Sequence, residues 1–360
     1  MSVLQFLAGL AILILGAEVL VRGASRLSLS LGMPPLVVGL TVVAFGTSAP
    51  ELAITLSGAI AGKTDLALGN VVGSSIFNVL FILGLSALLA PLVVDRQLVR
   101  QEVPIMIAMS ALTLVLALDR RISAVDGALL LGCLLAYIVL LYRQGRRAPA
   151  KEVADPLLPP PQPKRGPLPD LAAIIIGLAM LVLGARWLVD AATHIALRLG
   201  ISEAVVGLTI VAAGTSLPEV ATSVVAALRG QSEIAVGNAL GSNIFNLGSV
   251  LGLGALFAGS GGLPVARSIL SFDLPVMLAV ALACLPVLFT GHRIGRREGA
   301  LFFGYYVAYT TWLVLYTKEH AALDEFGLVM VVAVIPLTVA TLVVVSWREW
   351  QARRRAAGGS

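Results

Sequence analysis

Residues 39–51 read G-L-T-V-V-A-F-G-T-S-A-P-E, and residues 207–219 read G-L-T-I-V-A-A-G-T-S-L-P-E. A second matched pair follows: G-N-V-V-G-S-S-I-F-N at 69–78 and G-N-A-L-G-S-N-I-F-N at 237–246. One offset, 168, relates Glu51 to Glu219, Asn70 to Asn238 and Asn78 to Asn246, and it also aligns Leu15-Gly16-Ala17 with Leu183-Gly184-Ala185. A register held without a gap across intervening loops marks a duplication rather than a chance likeness of apolar sequence.

The duplicated unit is built for lipid. Of 360 residues, 58% are hydrophobic and 12% charged, against roughly 25% charged in a soluble domain. The apolar runs reach about 20 residues, the length of a helix that crosses a ~30 Å hydrocarbon core. They are continuously apolar, as at Leu10–Leu15 and Val329–Val334, whereas a membrane β-barrel alternates apolar and polar residues in short segments. Helices are expected at about 3–21, 34–60, 66–91, 102–118, 122–142, 170–196, 203–229, 233–258, 270–290 and 299–317, with one more at 326–347. The first apolar run lacks a basic leading segment, so it is not read as a cleaved signal peptide.

Five helices per copy is an odd number, so the second copy enters the membrane from the opposite face. The expected fold is therefore an all-α membrane protein of two inverted five-helix repeats, ten core transmembrane helices, plus one extra C-terminal helix. Its parts are a first repeat (1–142), a linker (143–169), a second repeat (170–317), and the additional helix with a basic tail (318–360). The linker carries five prolines between 156 and 163 and six basic residues, a composition that stays solvated. With the N-terminus outside, 18 of the 25 Lys and Arg fall on the cytoplasmic side, including Arg22, Arg26 and the linker. That bias sets the linker and C-terminus in the cytoplasm of a multi-pass cell-membrane protein. The net charge of +5 is spread between apolar segments, which excludes a nucleic-acid partner and leaves the lipid bilayer. Cys133 and Cys284 lie mid-segment and read as unpaired apolar thiols.

Inverted repeats place their sites near the bilayer midplane on interrupted helices. Glu51 and Glu219 follow Pro50 and Pro218, and a proline within a helix removes a backbone donor. An opened turn with free carbonyls, including those of Ala44 and Ala212, is expected there. Thr47, Ser48, Thr215 and Ser216 add hydroxyl oxygens. Gly69, Asn70 and Gly73, with Gly237, Asn238 and Gly241, are expected to interrupt the next helices. There Ser74 and Asn78, and likewise Ser242 and Asn246, are four apart and share a face. The set holds two carboxylates, amide and hydroxyl oxygens and no imidazole or thiolate, which suits hard cations such as Ca²⁺ or Na⁺. Structural roles compete: Ser and Thr often bond their own helix backbone, and the Gly-x-x-x-Gly spacings serve close packing. Glu18 aligns with Arg186, and the two read as structural or helix-end charges, with gating as the alternative. His194, His292 and His320 make no metal-ligand spacing.

On these paired motifs the chain resembles the Ca²⁺/cation antiporter superfamily, in particular the prokaryotic sodium/calcium exchangers. The resemblance covers both five-helix halves. It implies a transporter rather than an enzyme, with no cofactor and with Ca²⁺ and Na⁺ as transported ions, moved by alternating access. It also implies that helices 1 and 6 slide against the rest. The family's ligands map to Glu51 and Glu219, flanked by Ala44, Thr47, Ser48, Ser74 and Asn78, then Ala212, Thr215, Ser216, Ser242 and Asn246. Many relatives carry Asp in place of Asn246, and that acid goes with K⁺ use in potassium-dependent members. Asn246 therefore points to K⁺-independent exchange.

The alternative is proton-coupled Ca²⁺ antiport, since a buried carboxyl also exchanges protons. That branch has Gly-Asn-Ala followed by Glu-His, where this chain has Gly-Asn-Val and Gly-Asn-Ala-Leu-Gly-Ser. A hydrolase would need a nucleophile–base pair or a His-containing metal site, and a passive channel has no need of duplicated buried acids.

Overall fold

The computed structural model describes residues 2–94, 96, 98–145, 167–198, 212–259, 261–289, 292–317, 320, 322–340 and 347. Most of the linker, the expected helical segment 203–211, residues 341–346 and the basic tail lie outside the described residues.

In the first half, α1 is Ser2–Leu31, α2 Pro35–Thr47, α3 Ala49–Ile60, α4 Thr64–Leu89, α5 Leu98–Asp119 and α6 Ala124–Gly145. The second half holds α7 at Leu168–Arg198, a single turn α8 at Ala212–Gly214, α9 at Leu217–Leu228, α10 at Ser232–Phe257, α11 at Ile269–Leu288 and α12 at Arg296–Thr317. A last helix, α13, is Ala322–Ala340. Among the described residues eight helices are long and apolar enough to span a membrane, and nine if α2 and α3, bent by 45°, make one span.

The first helix runs ten residues beyond the expected end at 21. Ser28 and Ser30 turn their hydroxyls back onto the carbonyls of Ser25 and Leu27, so the polar end of the segment satisfies itself within the helix. Arg22 and Arg26, expected in a loop, therefore lie on α1.

In lipid, apolar packing alone does not draw helices together, and small residues decide which of them touch. Helices α1 and α7 meet through Gly9, Gly16, Gly177 and Gly184. A Cβ on Gly184 would stand 2.6 Å from the Leu13 nitrogen, and one on Gly177 2.7 Å from that of Leu20. The same device joins α4 to α12 at Gly84 and Gly299, and α10 to α6 at Gly252 and Gly127. Both of these contacts link one copy to the other.

Two short ribbons add to the exchange. Leu92–Val93 (β1) pairs antiparallel with Arg293–Ile294 (β4), and Arg121–Ile122 (β2) with Leu263–Pro264 (β3). Helices α4 and α10 form the centre, 78% and 83% buried over their most apolar stretches against 39% or less in the other unbroken spans. Cys284 is buried, Cys133 partly so, and neither is paired. Glu18 forms ion pairs with Arg22 and with Arg229 at the end of α9, while Arg186 is exposed.

Candidate ion-binding site

Both carboxylates sit at the start of a half-helix. Ser48 precedes α3 with φ −79° and ψ 6°, and Ser216 precedes α9 with φ −90° and ψ 8°. A serine at that position ordinarily accepts the N–H of the second or third helical residue. Here the second is Pro50 or Pro218, which has no N–H. The third is the glutamate, whose carboxylate folds back toward its own amide. Neither serine makes a capping bond, so each hydroxyl is released for a different partner. The positive end of the half-helix dipole also favours a carboxylate in its first turn.

Those partners lie across the duplication. Ser48 Oγ donates to Glu219 Oε1 at 3.2 Å, and Ser216 Oγ donates to Glu51 Oε1 at 2.8 Å. The hydroxyls of Ser216 and Ser74 stand 3.3 Å apart. Thr215 lies beside Glu51, and Thr47 beside Glu219. Glu51 is 0% exposed and Glu219 1%. Thr47, Ser48, Ser74, Asn78, Ser216, Ser242 and Asn246 are buried as well. Among the described residues, the buried polar atoms without a protein partner include Glu51 Oε2, Glu219 Oε2, Asn78 Oδ1, Thr215 Oγ1, Ser242 Oγ and both amide atoms of Asn246. Buried polar atoms are nearly always bonded. Exceptions are concentrated on residues singled out by sequence, and the cluster they form offers oxygen donors around two carboxylates.

Two expectations need correction, and a third point was not anticipated. The carbonyl of Ala44 is not bare, because the Ser48 N–H donates to it at 3.1 Å. The break falls at Ser48, one turn later than expected, so the helical ladder through Ala44 persists. The Thr47 hydroxyl stands 3.4 Å from the same oxygen but closer, 3.0 Å, to Asn238 Oδ1, which leaves Ala44 a second lone pair. The turn α8 begins at Ala212.

Second, Gly69, Asn70 and Gly73 do not interrupt their helix, nor do Gly237, Asn238 and Gly241. Thr64–Phe77 and Ser232–Phe245 are regular α-helix, and the ladder widens to π-turns only at Asn78–Leu83 and Asn246–Leu251. Such turns recur at functional sites.

Third, the role of Asn70 and Asn238 escaped the sequence reading. Asn70 Nδ2 donates to the Glu51 carbonyl (3.2 Å) and to Thr55 Oγ1 (3.0 Å). Asn238 Nδ2 does the same to the Glu219 carbonyl (3.3 Å) and Ser223 Oγ (2.9 Å). Because these amides bond a neighbouring helix, they do not compete for their own backbone. The repeated Asn one helix after each Glu, at one offset, was the available signal. Gly237 and Gly241 pack as expected, with a Cβ on Gly241 meeting Leu40 Cα at 3.0 Å and Ala44 Cβ at 2.8 Å, but Gly69 and Gly73 do not: a Cβ on either meets no described neighbour within 4 Å.

The sequence profile described as "Sodium/calcium exchanger protein" matches residues 1–143 and 170–315. The chain is 38% identical over 313 residues to the putative antiporter CaxA of Alkalimonas amylolytica, covering 84% of this chain and 95% of that one. It is 33% identical over 340 residues to the sodium/calcium exchanger MaX1 of Methanosarcina acetivorans, covering 85% and 96%. Solved structures of the sodium-calcium exchanger NCX_Mj superpose with a TM-score of 0.73 at 32% identity, over 85% of this chain and 96% of that one.

Proposed function

This chain belongs to the sodium/calcium exchanger protein family, and we propose that, within that family of cation/Ca²⁺ antiporters, it moves Ca²⁺ against Na⁺ by alternating access. The observation that carries this reading is the reciprocal pair of bonds, Ser48 to Glu219 and Ser216 to Glu51, which draws one carboxylate from each copy into a single buried cluster.

Ca²⁺ takes six to eight oxygens at about 2.3–2.6 Å. Glu51 and Glu219 supply the charge. The hydroxyls of Thr47, Ser48, Ser74, Thr215, Ser216 and Ser242, the amide oxygens of Asn78 and Asn246, and the carbonyls of Ala44 and Ala212 supply the neutral donors. Two ionised glutamates carry −2, which one Ca²⁺ neutralises and one Na⁺ does not, so more than one Na⁺ must replace it. A site with two uncompensated carboxylates at membrane depth is costly. Switching between faces is then favourable only when ions are bound, which is the condition for exchange rather than leak.

The reading includes two inverted five-helix repeats, an N-terminus outside, and the linker and C-terminus in the cytoplasm. The Gly-packed pair α1 and α7 forms one body that shifts against the central α4 and α10. Na⁺ is favoured over H⁺ as the coupling ion because the donors are hydroxyl, amide and carbonyl oxygens around the acids, and neither Gly-Asn motif, at 69–78 or 237–246, continues into the Glu-His of the proton-coupled branch.

Ca²⁺ uptake into proteoliposomes loaded with Na⁺ or with K⁺ at equal pH tests the coupling. Uptake that follows the Na⁺ gradient supports it, and uptake that follows ΔpH selects proton coupling instead. Glu51→Gln and Glu219→Gln should each abolish flux in a folded protein. Robust exchange by either variant would sink the assigned roles.

A further inference from the structure

The two copies hold their ligand amides differently. On α10 the Asn243 amide donates through Nδ2 to the Ser75 backbone carbonyl at 3.1 Å, and the same nitrogen lies 3.4 Å from the Met106 sulfur. A backbone carbonyl only accepts, and a thioether sulfur is a weak acceptor. The nitrogen end of Asn243 is thereby fixed toward Ser75 and Met106. Its oxygen must then face Asn78, whose Nδ2 donates to it at 3.0 Å. Asn78 in turn must aim Oδ1 away from Asn243, and that buried oxygen has no protein partner among the described residues. One backbone carbonyl thus sets two amides in series.

The second copy lacks the device. The counterpart of Asn243 at the 168 offset is Ser75, whose hydroxyl donates to its own helix at the Val71 carbonyl, 2.8 Å away. Asn246 accordingly has neither amide atom bonded among the described residues.

We infer that Asn243 is a positioning residue that locks Asn78 with its carbonyl oxygen toward the ion, leaving Asn246 as the ligand free to turn. The inference rests on the reading of Asn78 as a Ca²⁺ ligand. A locked oxygen needs no reorientation when the ion arrives, so its loss appears in Ca²⁺ affinity more than in maximal rate. A carboxylate at position 78 has two equivalent oxygens and no donor end, so it has no need of the lock.

The experiment is therefore a two-background comparison. Purified wild type, Asn243→Ser, Asn78→Asp and the double variant are titrated with Ca²⁺ alone. The half-saturating concentration is read from the Ca²⁺-induced rise in thermal midpoint, and the maximal rate from Ca²⁺ uptake. Asn243→Ser should raise half-saturation about tenfold in the wild-type background, the scale of one misdirected buried hydrogen-bonding group. In the Asn78→Asp background the same change should move it less than about twofold, because the coupled term is gone. Equal losses in both backgrounds would reduce Asn243 to a packing residue and overturn the inference, as would an unchanged half-saturation in Asn243→Ser. If wild type itself gains no stability from Ca²⁺, the ion-site reading falls and this inference with it. Binding is read without a Na⁺ or pH gradient, so the outcome stands apart from which ion drives transport.

Discussion

Replacing Gly184 by Ala measures how tightly α1 and α7 are joined. The new Cβ would lie 2.6 Å from the Leu13 nitrogen, 2.8 Å from the Gly9 oxygen and 2.9 Å from Leu13 Cα. All three are backbone atoms, so no side chain can rotate away. Ordinary contact begins at 3.4 Å, and the helices must part locally by about 0.8 Å. A gap of that size forfeits a quarter to a half of each dispersion contact it opens. Overpacking of this kind costs about 1–3 kcal/mol, against a helix-propensity gain of about 1 kcal/mol for Gly to Ala. The control is Gly304→Ala on α12, an exposed glycine whose Cβ meets no described neighbour within 4 Å. Both substitutions share the propensity gain, so the difference between them, about 1–3 kcal/mol, isolates the clash. The assay is thermal unfolding in detergent, followed by a thiol-reactive fluorophore that reports the buried Cys284. Gly184→Ala should melt about 1–4 °C below Gly304→Ala. A midpoint equal to or above the control would refute the backbone-contact argument.

Other outcomes follow from contacts outside the ion cluster and from one residue within it. Tyr137 donates to the fully buried Glu102 at 2.6 Å, and Tyr309 to the partly buried Asp273 at 2.8 Å. Tyr137→Phe should lower stability by about 1–3 kcal/mol and Tyr309→Phe by less, and the reverse order in thermal midpoints would contradict the burial argument. Glu18→Gln removes the ion pairs to Arg22 and Arg229. At partly exposed positions this should cost about 1 kcal/mol or less, and the loss should shrink in high salt; a salt-independent loss would mean the carboxylate acts by packing. Because the chain carries Asn246, Na⁺-dependent Ca²⁺ flux should be the same with K⁺ or choline as background cation, and a K⁺ requirement would overturn that assignment.

Much of this was legible in the sequence because the chain says it twice. The 168 offset identified Glu51 and Glu219, and with them Thr47, Ser48, Ser74, Asn78 and their counterparts, before any coordinates. Local sequence could not place the break. Pro50 removes an N–H, but whether the ladder fails at Ala44 or at Ser48 depends on where the serine hydroxyl finds a better partner, and that partner, Glu219, is 171 residues away. The length of α1 escaped for a similar reason, since Arg22 and Arg26 look like loop residues until Glu18, the serine back-bonds and α7 are in place. Asn243 was visible only as a mismatch, Asn against Ser75, in otherwise matching motifs. A departure from internal symmetry proved as informative as the symmetry itself, because it shows where the two copies have divided their work.

The crossed serine–glutamate bonds also bear on biosynthesis. When the first six helices have left the ribosome, Glu51 still waits for a hydroxyl 165 residues downstream, and β1 and β2 have no strands to pair with. Neither copy holds a complete set of groups by itself, so a nascent chain stalled in the linker has no cavity to test against an ion. A gene cut at the linker should give two inert fragments that become competent only when made together.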